Sequence, residues 1–209
     1  VMNGVGTGER MRGLLKRGTV IASLIYIVAY ASPDFSITQI GNLASLRIGI
    51  KNASKEQSEN VLEASALLSG AHIHHKIADN IIAAIWRKYI LNCAYNITTA
   101  RYNRTIGQLR EDPETAAQYE TLVRESWLVS EAAGAGVPET SINEIIDQFY
   151  HKLDPASTSS LQRDIWAGRP SELETFSGYL VRKAKELSVP VLLSETMYSD
   201  LQKIVSKQS

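Results

Sequence analysis

A lysine and two asparagines near the middle of the chain have the types and the spacing of a polar wall in a binding pocket. Lys88, Asn92 and Asn96 recur every four residues, so in a helix they lie on one face over two turns, roughly 12 Å. An ammonium group can stabilise or protonate an oxygen on which negative charge develops, and amides can hydrogen-bond substrate oxygens. The same row also fits the solvated face of a structural helix.

A second polar cluster lies in the stretch 157–174. It contains Ser159, Ser160, Asp164, Arg169 and Glu172 around two short helical segments. Together with the lysine row it is the part of the chain best supplied with chemically useful groups. By itself it also fits a loop with N-capping serines and an ordinary charged surface.

The helix that must carry the lysine row is predicted over Ile77–Arg101. Apolar residues recur in it at spacings of three and four, which is the period of a buried helical face. They are Ile81, Ile85, Trp86, Tyr89, Ile90, Cys93 and Ile97. A helix this apolar is expected to be central to its domain.

The residues before this helix predict strands. Thr19–Ala29 is rich in β-branched residues and predicts a buried strand. Ser36–Ile40 and Ala44–Ile50 predict two short strands joined by a hairpin turn at Gly41-Asn42. The glycines at positions 4, 6 and 8 do not match the spacing of a dinucleotide-binding fingerprint.

Cap signals place the helices. Ser54 and Gln57 predict a capping box for a helix over Lys55–Ser69, and Asp112-Pro113 predicts the start of a helix that runs to Ala133. After position 77 only helices are predicted.

Two further predicted helices lie near the C-terminus. Thr140 or Ser141 is predicted to cap one that ends near Lys152, and Glu172–Ser188 is predicted as a helix. A mixed domain over residues 1–76 would thus precede a helical domain over residues 77–209. This layout is common in enzymes whose site lies in the cleft between two domains.

Composition and charge argue against several classes of protein. The 22 Lys and Arg residues balance the 22 Asp and Glu residues, so no net charge recruits nucleic acid or a membrane surface. Cys93 is the one cysteine, which excludes an intramolecular disulfide and fits a reducing compartment. His72, His74 and His75 have no carboxylate or cysteine at useful spacing, so a surface strand is expected there and no metal site. The apolar run 20–29 is too short to span a bilayer, and a cytoplasmic protein is expected.

The order of the motifs resembles the ketopantoate reductase family over nearly the whole chain. A strand and a small β-meander (residues 20–29 and 37–50) stand where the family has them. The other matching motifs are the N-G-x-G turn (Asn3, Gly4, Gly6), the W-x-K-x-x-x-N-x-x-x-N helix (Trp86, Lys88, Asn92, Asn96), the G-x-L turn (Gly107, Leu109), the E-x-x-x-x-G helix end (Glu131, Gly136), and S-S-x-x-x-D-x-x-x-x-R-x-x-E with G-x-x-x-x-x-A (Ser159, Ser160, Asp164, Arg169, Glu172, Gly178, Ala184).

The resemblance implies a fold and an activity. The expected fold is an α/β remnant of a Rossmann domain followed by an all-α C-terminal domain, a helical bundle like that of 6-phosphogluconate dehydrogenase. Family members reduce a 2-oxo acid to a 2-hydroxy acid with NADP, with NAD as the alternative, so the expected partner is a small 2-oxo acid. A homodimer through the helical domain is left open. The family's first segment, with its G-x-G-x-x-G turn, is absent, so an inactive truncation is expected.

The resemblance also assigns roles to individual residues. It implies catalysis by Lys88 and Glu172, substrate binding by Asn92, Asn96 and Ser160, and a place beside the nicotinamide for Asn3. Asp164 is expected to be a structural acid.

Two departures from the family pattern bear on the substrate. Ile106 and Ser157 stand where some members carry asparagines that would read polar groups of the substrate. Ketopantoate remains the first candidate, and the apolar 2-oxo acids used by D-2-hydroxy acid dehydrogenases of the D-mandelate type are the alternative. From a different class, a non-catalytic helical dimerisation module is the competing hypothesis.

Overall fold

A division inside one long helix separates two units of the chain. The computed structural model describes residues 3–32 and 34–207. The first unit ends at Ile85 and the second begins at Trp86. The predicted assignment of residues 1–76 to a nucleotide-binding domain and 77–209 to a substrate-binding domain stays a prediction.

The first unit contains a three-stranded sheet in the order β1-β2-β3. Strand β1 (Ala22–Ala31) pairs with β2 (Ile37–Gly49) in antiparallel fashion, and β3 (His75–Ile77) pairs with β2 in parallel. Helix α1 covers Thr7–Leu14 and α2 covers Lys55–Gly70. The buried apolar side chains of this unit include Leu24 of β1, Ile48 of β2 and Val61 of α2. Because Ser23 pairs with Ile48 and side chains alternate along a strand, Leu24 and Ile48 lie on opposite faces of the sheet.

The hairpin predicted at Gly41-Asn42 is wrong. These residues lie inside the single strand β2, and the chain reverses earlier, between Ser32 and Ser36, where the Ser32 N–H donates to the Ser36 carbonyl over 2.8 Å. The register of β1 against β2 shifts between Ile27 and Ala29 of β1, and Gly41 has φ of +70°. The glycine therefore serves a bulge within a paired strand rather than a turn.

The histidine-rich stretch is mostly a turn. The sequence predicts a strand that includes His72 and His74, but of the three histidines only His75 lies in β3. His72 follows the end of α2 and has φ of +56°. His75 Nε2 lies 2.7 Å from the Ser65 hydroxyl. Within residues 3–32 and 34–207 no group of histidine, cysteine and carboxylate side chains could hold a metal ion.

The second unit is made of helices. They are α3 (Ile81–Tyr102), which begins before the division, α4 (Ile106–Glu111), α5 (Pro113–Ala132), α6 (Glu139–His151), α7 (Ser160–Trp166), a π-helical turn (Glu174–Gly178), α8 (Tyr179–Glu186) and α9 (Leu192–Ser206). In the described part of the chain, no helix has both the length and the apolar character needed to cross a membrane.

Helix α3 contributes a large part of the core of the second unit. Its side chains Ile90, Cys93 and Ile97 are fully buried. On α5 and α6, Tyr119 and Phe149 are stacked with their ring centroids 4.0 Å apart. Burial of this extent makes α3 a rigid support for the polar residues that it carries.

Cap signals predicted some helix boundaries well and others poorly. The capping box at Ser54 and the cap at Asp112 are both present. Helix α6 begins at Glu139 after Pro138, without a side-chain cap, so the predicted cap at Thr140 or Ser141 is wrong. The helix predicted over residues 172–188 is interrupted by the π-helical turn.

Candidate active site

Lys88 is a half-buried cation on the most buried helix of the second unit. Burial lowers the pKa of its ammonium group, and the negative charge of Glu172 acts in the opposite direction and raises it. The two residues are 84 positions apart in the sequence (172 − 88). The fold of the second unit thus brings the two predicted catalytic residues close enough for their charges to interact.

Hydrogen bonds to α3 hold the segment that carries Glu172. The Glu172 carbonyl accepts the N–H groups of Thr175 and Phe176, over 3.0 and 3.1 Å. The Phe176 carbonyl in turn accepts the hydroxyl of Tyr89, the residue directly after Lys88. A π-helical turn is a wider turn that is rare and occurs often at functional sites, and here it includes Phe176.

Asn92 and Asn96 follow Lys88 along the same helix. Asn92 is half-buried, whereas the side chain of Asn96 is almost fully buried and donates to the Asn92 carbonyl over 2.8 Å. Burial and this bond fix the rotamer of Asn96. The predicted contacts of both amides with substrate oxygens stay predictions.

The two serines at the start of α7 have different environments. Ser159 is buried and caps the helix, because its hydroxyl accepts the Gln162 N–H over 3.0 Å. The same hydroxyl shares a hydrogen bond of 2.7 Å with Thr99 of α3. Ser160, the predicted substrate-binding residue, is exposed at the first position of the helix. Its role stays a prediction.

Asp164 accepts two hydrogen bonds from Arg169, over 2.8 and 3.0 Å. This pair closes the loop after α7, and the expected role of Asp164 as a structural acid stays a prediction. A second ion pair joins Glu174 to Arg182 over 2.6 Å, and Tyr198 also donates to Glu174. Both pairs lie on the surface near the Glu172 segment, so each contributes little to stability.

Asn3 lies in the first unit, in an exposed bend before α1. Gly4 and Gly6 have φ of +89° and +79°. Such a turn presents backbone without Cβ atoms, which fits the close approach of a cofactor. The predicted position of Asn3 beside a nicotinamide stays a prediction.

A cavity of about 610 Å³ lies next to the Glu172 segment. Its lining comes from the end of α7, the loop that follows it, the π-helical turn and the end of α9. The lining residues are Ile165, Gly168, Arg169, Pro170, Ser171, Leu173, Glu174, Gln202, Val205 and Ser206. The residues on both sides of Glu172 therefore border the cavity, whereas Lys88 is not part of this lining.

Two residues of the site were not predicted from the sequence. The sequence pattern places Tyr89 only on the apolar face of the helix, whereas in the structure its hydroxyl donates to the Phe176 carbonyl, 87 residues away. Thr99 follows Asn96 by three positions and so extends the row Lys88–Asn92–Asn96 by one more turn. That spacing is the sequence signal from which Thr99 could have been predicted as part of the polar row.

Comparison with known proteins identifies the family. Residues 80–205 match a family model described as ketopantoate reductase PanE/ApbA C terminal. A 2-dehydropantoate 2-reductase from Shigella flexneri is 32% identical over 115 residues, which are 54% of this chain and 36% of that enzyme. The residues matched by the family model include all five predicted site residues of the second unit.

Solved structures extend the likeness to both units. A PanE/ApbA family ketopantoate reductase from Ralstonia eutropha JMP134 is 25% identical with a TM-score of 0.85, and the match covers 99% of this chain and 65% of that one. A D-mandelate dehydrogenase, solved with NADH and anilino(oxo)acetate, is 16% identical with a TM-score of 0.85 over 100% of this chain and 67% of its own.

These structures confirm the predicted fold class, part of a Rossmann-type α/β domain followed by an all-α C-terminal domain. The chain spans about two thirds of the length of these solved relatives. Because the family model matches more than half of the residues of this chain, the chain belongs to the ketopantoate reductase family.

Proposed function

We propose that the protein formed by this chain reduces a 2-oxo acid to a 2-hydroxy acid with a nicotinamide cofactor. The first candidate substrate is 2-dehydropantoate and the first candidate reductant is NADPH, with NADH as the alternative. The observation that carries the proposal is the Lys88 ammonium group, half-buried on a rigid helix and under the influence of the Glu172 carboxylate, in a chain of this family.

Lys88 is suited to supply the proton of this reaction. A nicotinamide cofactor, when bound, would supply a hydride for C2 of the substrate, and the electron pair of the C=O bond would leave negative charge on the substrate oxygen. Lys88 stabilises that charge and transfers its proton to the oxygen, which gives the hydroxyl of the product. Burial lowers the pKa of Lys88 and so makes the proton easier to give, while the negative charge of Glu172 acts in the opposite direction and favours the ammonium form.

The remaining residues would orient the substrate. In the proposal, Asn92, Asn96 and Ser160 hydrogen-bond oxygens of the substrate. The fixed rotamer of Asn96 supports such a role, because a contact made by an ordered side chain costs little further entropy. Asn3 would contact the nicotinamide.

The apolar 2-oxo acids of the D-mandelate type are the second candidate substrates. The likeness in fold to a D-mandelate dehydrogenase favours them. Ile106 was the sequence argument for an apolar substrate, but its side chain is fully buried. A side chain without exposed surface does not contact a substrate that enters from solvent, so Ile106 favours neither candidate.

A panel of 2-oxo acids, assayed with NADPH and with NADH in the full-length protein, tests the proposal. Lys88→Met should lower kcat by about 10²- to 10³-fold, the effect of removing one group that stabilises a developing oxyanion. Lys152→Met is the matched control, because Lys152 is an exposed cation that pairs with Asp147. An unchanged kcat in Lys88→Met, or no turnover of any 2-oxo acid, would leave the non-catalytic helical module as the better hypothesis.

Assembly as a homodimer through the helical domain is a further part of the proposal. Light scattering of the full-length protein over a range of concentrations measures it. A mass that stays at that of one chain would contradict it.

A further inference from the structure

We propose that Tyr89 is a positioning residue, whose hydrogen bond to the Phe176 carbonyl fixes the place of Glu172 beside Lys88. The kinetic consequence rests on the proposed function. The placement of Glu172 does not, and it can be measured without substrate.

The connection from Lys88 to Glu172 is short. Tyr89 is bonded to Lys88 through the backbone, and its hydroxyl donates to the Phe176 carbonyl. The N–H of Phe176 donates to the Glu172 carbonyl over 3.1 Å. Two hydrogen bonds and a few covalent bonds therefore connect the lysine and the glutamate through the fold of one unit.

The π-helical turn places Phe176 where this contact is made. In the turn, the Tyr179 N–H donates to the Glu174 carbonyl five residues earlier. The Phe176 carbonyl also lies 3.9 Å from the Cys93 thiol. Two donors on adjacent turns of α3 thus point at one carbonyl, and this fixes the turn at one position along the helix.

Aromatic packing holds the ring of Tyr89 independently of its hydroxyl. The ring meets Trp86 edge-on at 5.5 Å and Tyr179 edge-on at 5.8 Å, and it stacks on Phe176 at 6.4 Å between centroids. Phenylalanine at position 89 would keep these contacts and lose only the hydrogen bonds of the hydroxyl, to the Phe176 carbonyl and, over 3.4 Å, to the Thr175 carbonyl. The substitution therefore separates positioning from packing.

The test compares Tyr89→Phe, Glu172→Gln and the double variant, with Tyr150→Phe as control. Tyr150 also donates its hydroxyl to another group of the helical unit, the Glu120 carboxylate, over 2.7 Å. NMR titration of the Lys88 side chain in each full-length protein reports its pKa. Glu172 raises the pKa of Lys88, so we expect the pKa of Lys88 to fall in Tyr89→Phe and in Glu172→Gln. In the double variant the pKa of Lys88 should be no lower than in Glu172→Gln, and in Tyr150→Phe it should be unchanged.

The kinetic readout is kcat/KM for the best 2-oxo acid. We expect a loss of about tenfold in Tyr89→Phe, mostly in kcat, as for a catalytic group that is slightly misplaced. An unmoved pKa of Lys88 in Tyr89→Phe or in Glu172→Gln overturns the inference, whatever happens to the melting temperature. A pKa that falls as expected in a protein that reduces no 2-oxo acid supports the positioning role and refutes the proposed function.

Discussion

The hydrogen bond between Thr99 and Ser159 is expected to couple α3 to α7 energetically. Thr99 lies on the helix of the lysine row, and Ser159 caps the helix whose first residue is Ser160. Both hydroxyls are buried and they lie 2.7 Å apart. A double-mutant cycle with Thr99→Val and Ser159→Ala measures this one bond.

The magnitudes follow from the bonds that each variant removes. Ser159→Ala loses the cap to Gln162, about 1 kcal/mol, and the bond to Thr99, about 1 kcal/mol, so it should cost about 2 kcal/mol. Thr99→Val loses the shared bond and also the bond of its hydroxyl to the Tyr95 carbonyl over 2.7 Å. Because such a bond to the carbonyl four residues earlier adds little to the stability of a helix, and valine keeps the shape of threonine, the variant should cost about 1 kcal/mol. Since the shared bond can be lost only once, the double variant should cost about 2 kcal/mol, which leaves a coupling of about 1 kcal/mol.

Urea denaturation at equilibrium, followed by circular dichroism, provides the free energies of unfolding. Thr98→Val is the matched control, because Thr98 is buried on the same helix and its hydroxyl donates to the Ala94 carbonyl of that helix over 2.7 Å. It should not couple to Ser159→Ala. Additivity of Thr99→Val and Ser159→Ala within about 0.3 kcal/mol would refute the reasoning, because the two hydroxyls would then not share a stabilising bond.

Three other outcomes are expected. Glu172→Gln removes the charge that raises the pKa of Lys88, so the basic limb of the pH profile of kcat/KM should move to lower pH. A shift of that limb to higher pH would contradict the proposed role of Glu172. Burial raises the pKa of the Cys93 thiol to about 12, so a disulfide reagent at pH 8 should label it only in urea, and rapid labelling of the native protein would show that the core opens. Phe149→Ala removes a fully buried ring that stacks on Tyr119. Urea denaturation should show a free energy of unfolding lower by about 3–5 kcal/mol. A loss under about 1 kcal/mol would mean that the neighbouring side chains fill the space left by the ring.

Features that depend on neighbouring residues were predictable from the sequence. The capping box of Ser54 with Gln57 and the cap of Asp112 before Pro113 are bonds within one turn, so the sequence contains both partners. The long helix was predicted from the period of its apolar residues and begins only four positions later than expected, at Ile81.

Features that depend on distant partners were not predictable in this way. The pair Gly41-Asn42 has the chemistry of a hairpin turn, but pairing with β1 on both sides of it makes it a bulge. A carbonyl in the π-helical turn, that of Phe176, accepts the Tyr89 hydroxyl from 87 residues away in the sequence. At the site, the family resemblance predicts catalytic roles for Lys88 and Glu172, which stay predictions, and the negative charge of Glu172 acts to raise the pKa of Lys88.

The π-helical turn also limits which insertions and deletions the chain can accept. Each residue of an α-helix turns it by about 100° about its axis. A π-helical turn holds about one residue more than an α-helical turn, so deleting one residue from Glu174–Gly178 would restore a regular helix with its two sides in nearly their present rotation. Inserting a residue before α8 would instead rotate one side by about that angle and disturb the packing of the buried residues Leu180 and Ala184. The segment should therefore accept a deletion more readily than an insertion, although the deletion would move the Phe176 carbonyl that accepts the Tyr89 hydroxyl.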